Sequence, residues 1–150
     1  MAQSLAKVYV HLIFSTKNRK PVLADEIREE LHKVMGGALN NMGCQSLIVG
    51  FVEDHVHVLF MLSRTRSLSD VIGKLKSTSS SWIKSQNPTL ANFEWQAGYG
   101  AFSVSHSNVE SVREYIRNQK EHHKSESFQD EFRRFLIRYE VEYDERYIWD

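Results

Sequence analysis

Residues 45–62 read QSLIVGFVEDHVHVLFML. Two apolar runs, 45–52 and 55–62, are separated only by Glu53-Asp54. Apolar runs of this length, bounded by polar residues, are strands, and a connection this short joins antiparallel neighbours. The middle of the chain is therefore a β-hairpin. Upstream, residues 5–15 alternate, with Val8, Val10, Leu12 and Phe14 on one face and Tyr9, His11 and Ile13 on the other, which predicts a strand. A basic turn, Thr16–Pro21, leads to a helix over 25–42, whose stripe is Ile27, Leu31, Val34, Met35, Ala38, Leu39 and Met42. Asp25 and Glu26 in its first turn suit the helix dipole, while Gly36-Gly37 weakens its middle.

Downstream, residues 68–85 return to helical spacing, a loop carrying Trp95 follows, and 99–104 form a short strand. Ser107-x-x-Glu110 has the pattern of a capping box and predicts one helix from about 108 to 123. A shorter helix over 128–139 carries Phe128, Phe132, Phe135, Leu136 and Tyr139. The order is β-α-β-β-α-β followed by helices. It predicts an α+β, ferredoxin-like (RRM-like) fold: a four-stranded antiparallel sheet with two helices on one face and a C-terminal pair of helices beyond it. The other face is expected to stay free for a site or a partner. Fold of this kind hosts many activities and decides nothing about chemistry.

The bulk composition narrows the class without naming a function. A chain of 150 residues suits a single domain spanning 1–150. Residues 1–124 carry 15 Lys+Arg against 11 Asp+Glu, and residues 125–150 carry 4 against 8. An acidic helical tail thus masks a mildly basic body, which permits a nucleic-acid partner without arguing for one. The single cysteine, Cys44, excludes an internal disulfide and a multi-cysteine zinc site. No apolar run is long enough to span a bilayer, and MAQSLAKVYVHLIF lacks a small-residue cleavage site. A cytoplasmic protein with no membrane partner is expected.

His55 and His57 stand two apart on a strand and so point to one face, with Cβ atoms about 6.5–7 Å apart. Two imidazoles so placed can converge on a divalent cation, with Glu53 or Asp54 orienting one of them. A His-x-His pair also arises as ordinary strand sequence, and a metal site would need a third ligand. Tyr115 and Gln119 are four apart, hence stacked on one helical face beside Val109, Val112 and Ile116. An isolated tyrosine there is most often a boundary residue. A tyrosine that attacks phosphorus must lose a proton with a free pKa of about 10, and a metal or base must help it. On one helix, Tyr115 supplies a nucleophile and Gln119 a carboxamide oxygen that can complete a metal site.

Together, His55-Val56-His57 within EDHVHVLF, the opening strand and basic turn YVHLIFSTKNRKPVL, and VREYIRNQKEHH resemble the HUH-type single-tyrosine transposases of small insertion sequences and their REP-associated relatives. The resemblance covers roughly residues 5–124. It implies that His55, His57 and Gln119 ligate Mg²⁺ or Mn²⁺ and that Tyr115 forms a 5′-phosphotyrosine link while a 3′-hydroxyl is freed. It implies single-stranded DNA with a hairpin at the element end as substrate, and a homodimer in which trans active sites are possible. Lys17, Arg19, Lys74, Lys76, Arg113, Arg117 and Lys120 are then candidate phosphate contacts, each with the alternative of an ordinary solvated charge. Trp95, Tyr99 and Phe102 are candidates for base stacking or for core packing. Two competing readings stay open: a non-catalytic single-stranded nucleic-acid-binding module, and a metal-dependent phosphodiesterase that uses water instead of the tyrosine.

Overall fold

The computed structural model describes residues 2–150. Strands β1 (Tyr9–Ser15), β2 (Gln45–Phe51), β3 (His55–Met61) and β4 (Gly100–Val104) form an antiparallel sheet in the order β2-β3-β1-β4. Helices α1 (Asp25–Asn41) and α2 (Leu68–Gln86) cross over it in the expected ferredoxin-like, α+β order. The predicted first strand begins at residue 5, but pairing with β3 and β4 begins only at Tyr9. Among the described residues, no helix is long and apolar enough to cross a membrane.

Alternation along the central strands decides which side chains each face receives. Val10, Leu12 and Phe14 of β1 and Val56, Val58 and Phe60 of β3 pack against Leu31, Met35 and Leu39 of α1 and against Val71, Ile72, Leu75 and Ile83 of α2. Gly36-Gly37 leaves α1 unbroken, because buried neighbours on both sides hold the helix to the sheet. The stretch Ser77-Thr78-Ser79-Ser80-Ser81, rich in weak helix formers, is helical within α2, and Ser79 in it is fully buried. Its hydroxyl donates back to the Leu75 carbonyl at 2.7 Å and accepts the Trp95 indole N–H at 2.9 Å. Trp95 is thereby a core residue, edge-on to Phe14.

The second face is not free, contrary to the sequence expectation. It is covered by α3 (Val109–Arg117), α4 (Gln119–Ser125) and α5 (Phe128–Arg138). Val109 and Ile116 lie over Tyr9, Leu59 and Val104. Phe128, Phe132, Phe135 and Leu136 lie over Ile13 and Phe102. The odd-numbered side of β1 and β3 is thus apolar over much of its area, and the apolar stripe of the acidic tail covers it. At about 1.5–3 kcal/mol for each large side chain taken from water, those four residues are ample to dock α5. Gly100 permits the approach: a Cβ there would lie 2.5 Å from a ring carbon of Phe132.

The helix expected over 108–123 is divided. It breaks at Asn118, which leaves helical geometry (φ −94°, ψ 19°) between α3 and α4. The expected capping box does not form. Ser107 lies in a 3₁₀ turn, His106–Asn108, and its hydroxyl meets that of Ser105 at 3.2 Å.

Candidate active site

Three buried groups meet between β3 and α5. His55 and His57 project from β3 onto the second face, and Glu131 reaches down to them from α5. Glu131 Oε1 lies 2.8 Å from His57 Nε2 and 3.2 Å from His55 Nε2. These three ligand atoms lie within 4.8 Å of one another. The far nitrogen of each imidazole is also engaged. His55 Nδ1 is 2.7 Å from Asp54 Oδ1, so its N–H donates to that carboxylate and its Nε2 is the nitrogen presented to the centre. His57 Nδ1 is 2.8 Å from Nε2 of His11, the neighbouring β1 residue on the same face. Either ring of that pair can donate, so His57 can present Nε2 as a donor to Glu131 or as a bare lone pair.

Burial and charge push these groups apart in protonation. Burial, reinforced by His57, holds His11 well below the ordinary imidazole value. Burial likewise holds His57 down, although Glu131 opposes it. Burial acts on His55 too, but its hydrogen bonds to Asp54 and Glu131 outweigh it and the imidazole titrates above its ordinary value. Burial alone would raise Glu131, yet the two histidines hold its carboxyl well below the carboxylate range. An ionised Glu131 at the centre thus favours the charged form of His55, while burial disfavours that of His57 and His11.

Tyr115 joins this cluster from α3. Its hydroxyl donates to Glu131 Oε2 and accepts from Arg134 Nη2 at 2.7 Å. Arg134 is held in turn by the Glu126 carboxylate at 2.9 and 3.0 Å. The phenol ring stands edge-on to His57, with centroids 5.8 Å apart, and stacks on His122 at 4.4 Å. Burial, with Glu131 next to it, pushes the phenol above its ordinary value despite Arg134. At neutral pH Tyr115 is therefore a protonated phenol with a carboxylate already facing its proton. A cleft of about 240 Å³, lined by His11, Ser103, Tyr115, Arg134 and Phe135 among others, leads to it from solvent.

Gln119 does not continue the tyrosine helix. The break at Asn118 sets it over β2, where Gly50 pairs with His57. A Cβ on Gly50 would lie 2.7 Å from Gln119 Oε1 and 2.6 Å from Ile116 Cγ2, so glycine is what allows the close approach. Gln119 is buried, and neither atom of its amide has a hydrogen-bond partner among the described residues. A buried amide costs roughly 1–3 kcal/mol when unpaired, so this one is poised for a ligand. The donor set suits a divalent cation: two imidazole nitrogens, a carboxylate oxygen and an unpartnered carboxamide beside them.

The basic candidates do not form one surface. Arg117 and Lys120 flank a groove of about 660 Å³ that also contains Gly50, Gln119 and Arg28. Arg113 pairs with Glu110, Arg117 with Glu114, and Lys17 with Glu94. Arg19 lies over the Trp149 ring. Lys74 and Lys76 are on α2, on the opposite side of the sheet from the histidines. Lys76 donates to the carbonyls of Gln96, Ala97 and Gly98, and burial brings its ammonium down to about 8. Glu131, Arg134 and His11 escape the sequence reading. The available signal for Glu131 is its position inside the stripe Phe128, Phe132, Phe135, Leu136, where a charge demands a partner.

Comparison with known proteins shows the family and the fold. The family described as IS200-like transposase matches residues 4–119. The ISDra2 transposase TnpA of Deinococcus radiodurans is 25% identical over 114 residues, which cover 73% of this chain and 81% of that protein. The crystal structure of a transposase from Deinococcus radiodurans R1 superposes with a TM-score of 0.62 at 25% identity, over 79% of this chain and 98% of that one. A REP-associated tyrosine transposase bound to a REP hairpin shares the fold, with a TM-score of 0.54 at 14% identity over 77% and 67% of the two chains. The family match ends at Gln119, so α5 and Glu131 lie beyond it.

Proposed function

We propose, since the chain belongs to the IS200-like transposase family, that it cleaves single-stranded DNA at a hairpin-bearing end and rejoins it through Tyr115. One observation carries the reading: the Tyr115 hydroxyl and both histidines of the His-x-His pair converge on one buried carboxylate. A tyrosine at the margin of a core has no structural need of such a setting. A relative bound to a REP hairpin supports a hairpin substrate.

In this reading Tyr115 Oη attacks the scissile phosphorus. The P–O3′ bond breaks, a 5′-phosphotyrosine forms, and the 3′ oxygen leaves with a proton as a hydroxyl. Glu131 Oε2 accepts the phenolic hydrogen bond and aims Oη, the Arg134 guanidinium stabilises the negative charge that develops on Oη, and the phenolic proton passes through solvent to the departing 3′ oxygen. Rejoining is the same exchange in reverse, with an incoming 3′-hydroxyl displacing the tyrosine. Mg²⁺ or Mn²⁺, held by His55 and His57 with Gln119 within reach, would supply Lewis-acid polarisation of the phosphate. Tyr115 lies against His57 of its own chain, which supports assembly in cis; a homodimer is then not needed to complete the site. Arg117 and Lys120, beside the groove at Gln119, are the phosphate contacts that best fit a strand entering there.

The test is incubation with a labelled hairpin-bearing single strand and Mn²⁺ or Mg²⁺, followed by denaturing electrophoresis. A covalent protein–DNA adduct is expected, and it disappears in Tyr115→Phe, His55→Ala and His57→Ala. Cleavage that persists in Tyr115→Phe would overturn the tyrosine mechanism in favour of activated water. Salt-sensitive binding without cleavage would leave only a binding module.

A further inference from the structure

We infer that Glu131, contributed by the acidic tail beyond the family's matched region, is a protein ligand of the metal. The site then has a two-histidine, one-carboxylate set. This rests on the proposal above that a divalent cation binds at His55 and His57.

The geometry favours a ligand over a structural counter-ion. Around a six-coordinate cation with bonds of about 2.1 Å, adjacent ligand atoms lie about 3.0 Å apart. Glu131 Oε1 is 2.8 and 3.2 Å from the two Nε2 atoms, so a cation can replace the protons shared there with little movement of the heavy atoms. The other sides of both rings are already fixed, His55 by Asp54 and His57 by His11, as ligating imidazoles require. Helix α5 is held rigidly by Phe128, Phe132, Phe135 and Leu136, so the carboxylate is delivered by a docked helix instead of a loop. The other carboxylate oxygen faces Tyr115 Oη. Glu131 would therefore tie metal and nucleophile together, one carboxylate oxygen facing each.

The donor chemistry has a further consequence. Two imidazoles and one carboxylate suit Mn²⁺ better than Mg²⁺, which prefers all-oxygen, largely hydrated surroundings. The DNA-free protein should thus take up Mn²⁺ in preference to Mg²⁺.

Mn²⁺ binding by the full-length protein is read without DNA, by loss of the free-ion electron paramagnetic resonance signal and by calorimetry. Wild type is expected to bind one Mn²⁺. Glu131→Gln, nearly the same shape, and Glu131→Ala should each weaken binding by at least about tenfold, since loss of groups behind a ligand already costs 10–100-fold. Glu131→Asp should recover part of the loss. Circular dichroism checks folding, and the Gln variant carries the test if the Ala variant does not fold. Unchanged Mn²⁺ affinity in Glu131→Gln, with binding lost in His57→Ala, would overturn the assignment while leaving the tyrosine mechanism intact. Equal binding by wild type and His57→Ala would remove the metal site altogether.

Discussion

Two buried histidines under α5, both held below the ordinary imidazole value, should make the metal-free protein sensitive to mild acid. His11 and His57 are both nearly or wholly shielded from solvent, and both are held below their ordinary value of 6.5, first by burial. A group whose folded pKa is depressed in this way takes up its proton more readily when unfolded, so stability falls as pH drops below 6.5. For one such histidine the loss between pH 6.5 and 5.5 is at most about 1 kcal/mol, and for the two together at most about 2 kcal/mol. His32, exposed on α1 and also held down, first by desolvation and then by Arg28, adds a smaller amount of the same sign. His55 works the other way. Its folded pKa is raised, so its contribution is complete below 6.5 and disappears as pH rises through the folded value. Glu131, depressed from 4.5, contributes above that value and its share is lost only as pH falls through its much lower folded pKa. Stability should therefore peak near neutral pH. At about 2–4 °C per kcal/mol for a domain of this size, Tm should fall from pH 6.5 to 5.5 by up to roughly 4–8 °C. Calorimetric melts in EDTA at constant ionic strength measure it. His11→Phe keeps a ring against Phe135 but removes one titrating group, so it should roughly halve the drop whatever its absolute Tm. A Tm that is level or rises between pH 6.5 and 5.5, or a His11→Phe slope equal to wild type, would refute the reasoning.

Other expectations concern packing. Gly50→Ala forces a methyl to within 2.6 Å of Ile116 and 2.7 Å of Gln119, so it should cost about 1–3 kcal/mol in urea unfolding and lower adduct formation by displacing the tyrosine helix. Phe132→Ala removes the ring that fills the space over Gly100 and should cost about 3–5 kcal/mol, read as a lower urea midpoint. Lys76→Met frees three carbonyls that a single ammonium now ties together; faster amide exchange across residues 96–100 with the sheet core unchanged is the expected result.

The sheet and the first two helices were legible because each is written in a single periodicity. The alternation of β1 and β3 assigns Val10, Leu12, Phe14, Val56, Val58 and Phe60 to the α1–α2 side, and there they pack. The same alternation puts His55, His57 and His11 on the other side, so the histidine face was predictable even though its covering was not. What escaped depends on where a helix stops. No proline or glycine marks Asn118, and Val112, Ile116 and Gln119 keep helical spacing through it, so a one-dimensional reading runs on unbroken. In the fold the break carries Gln119 to Gly50 and lets the chain turn back so that α5 crosses the sheet. The tail looked like an acidic appendage because charge counting averages over it. Its stripe contradicts the average: four apolar residues bury a face, and Glu131 within that face is an ion that would be prohibitively costly without cationic or hydrogen-bonding partners. Such partners had to lie on the sheet, and the open face offered His55 and His57. A buried acid on an otherwise apolar helix and a histidine pair on an uncovered strand are thus two halves of one signal, legible only when each is asked what neutralises it.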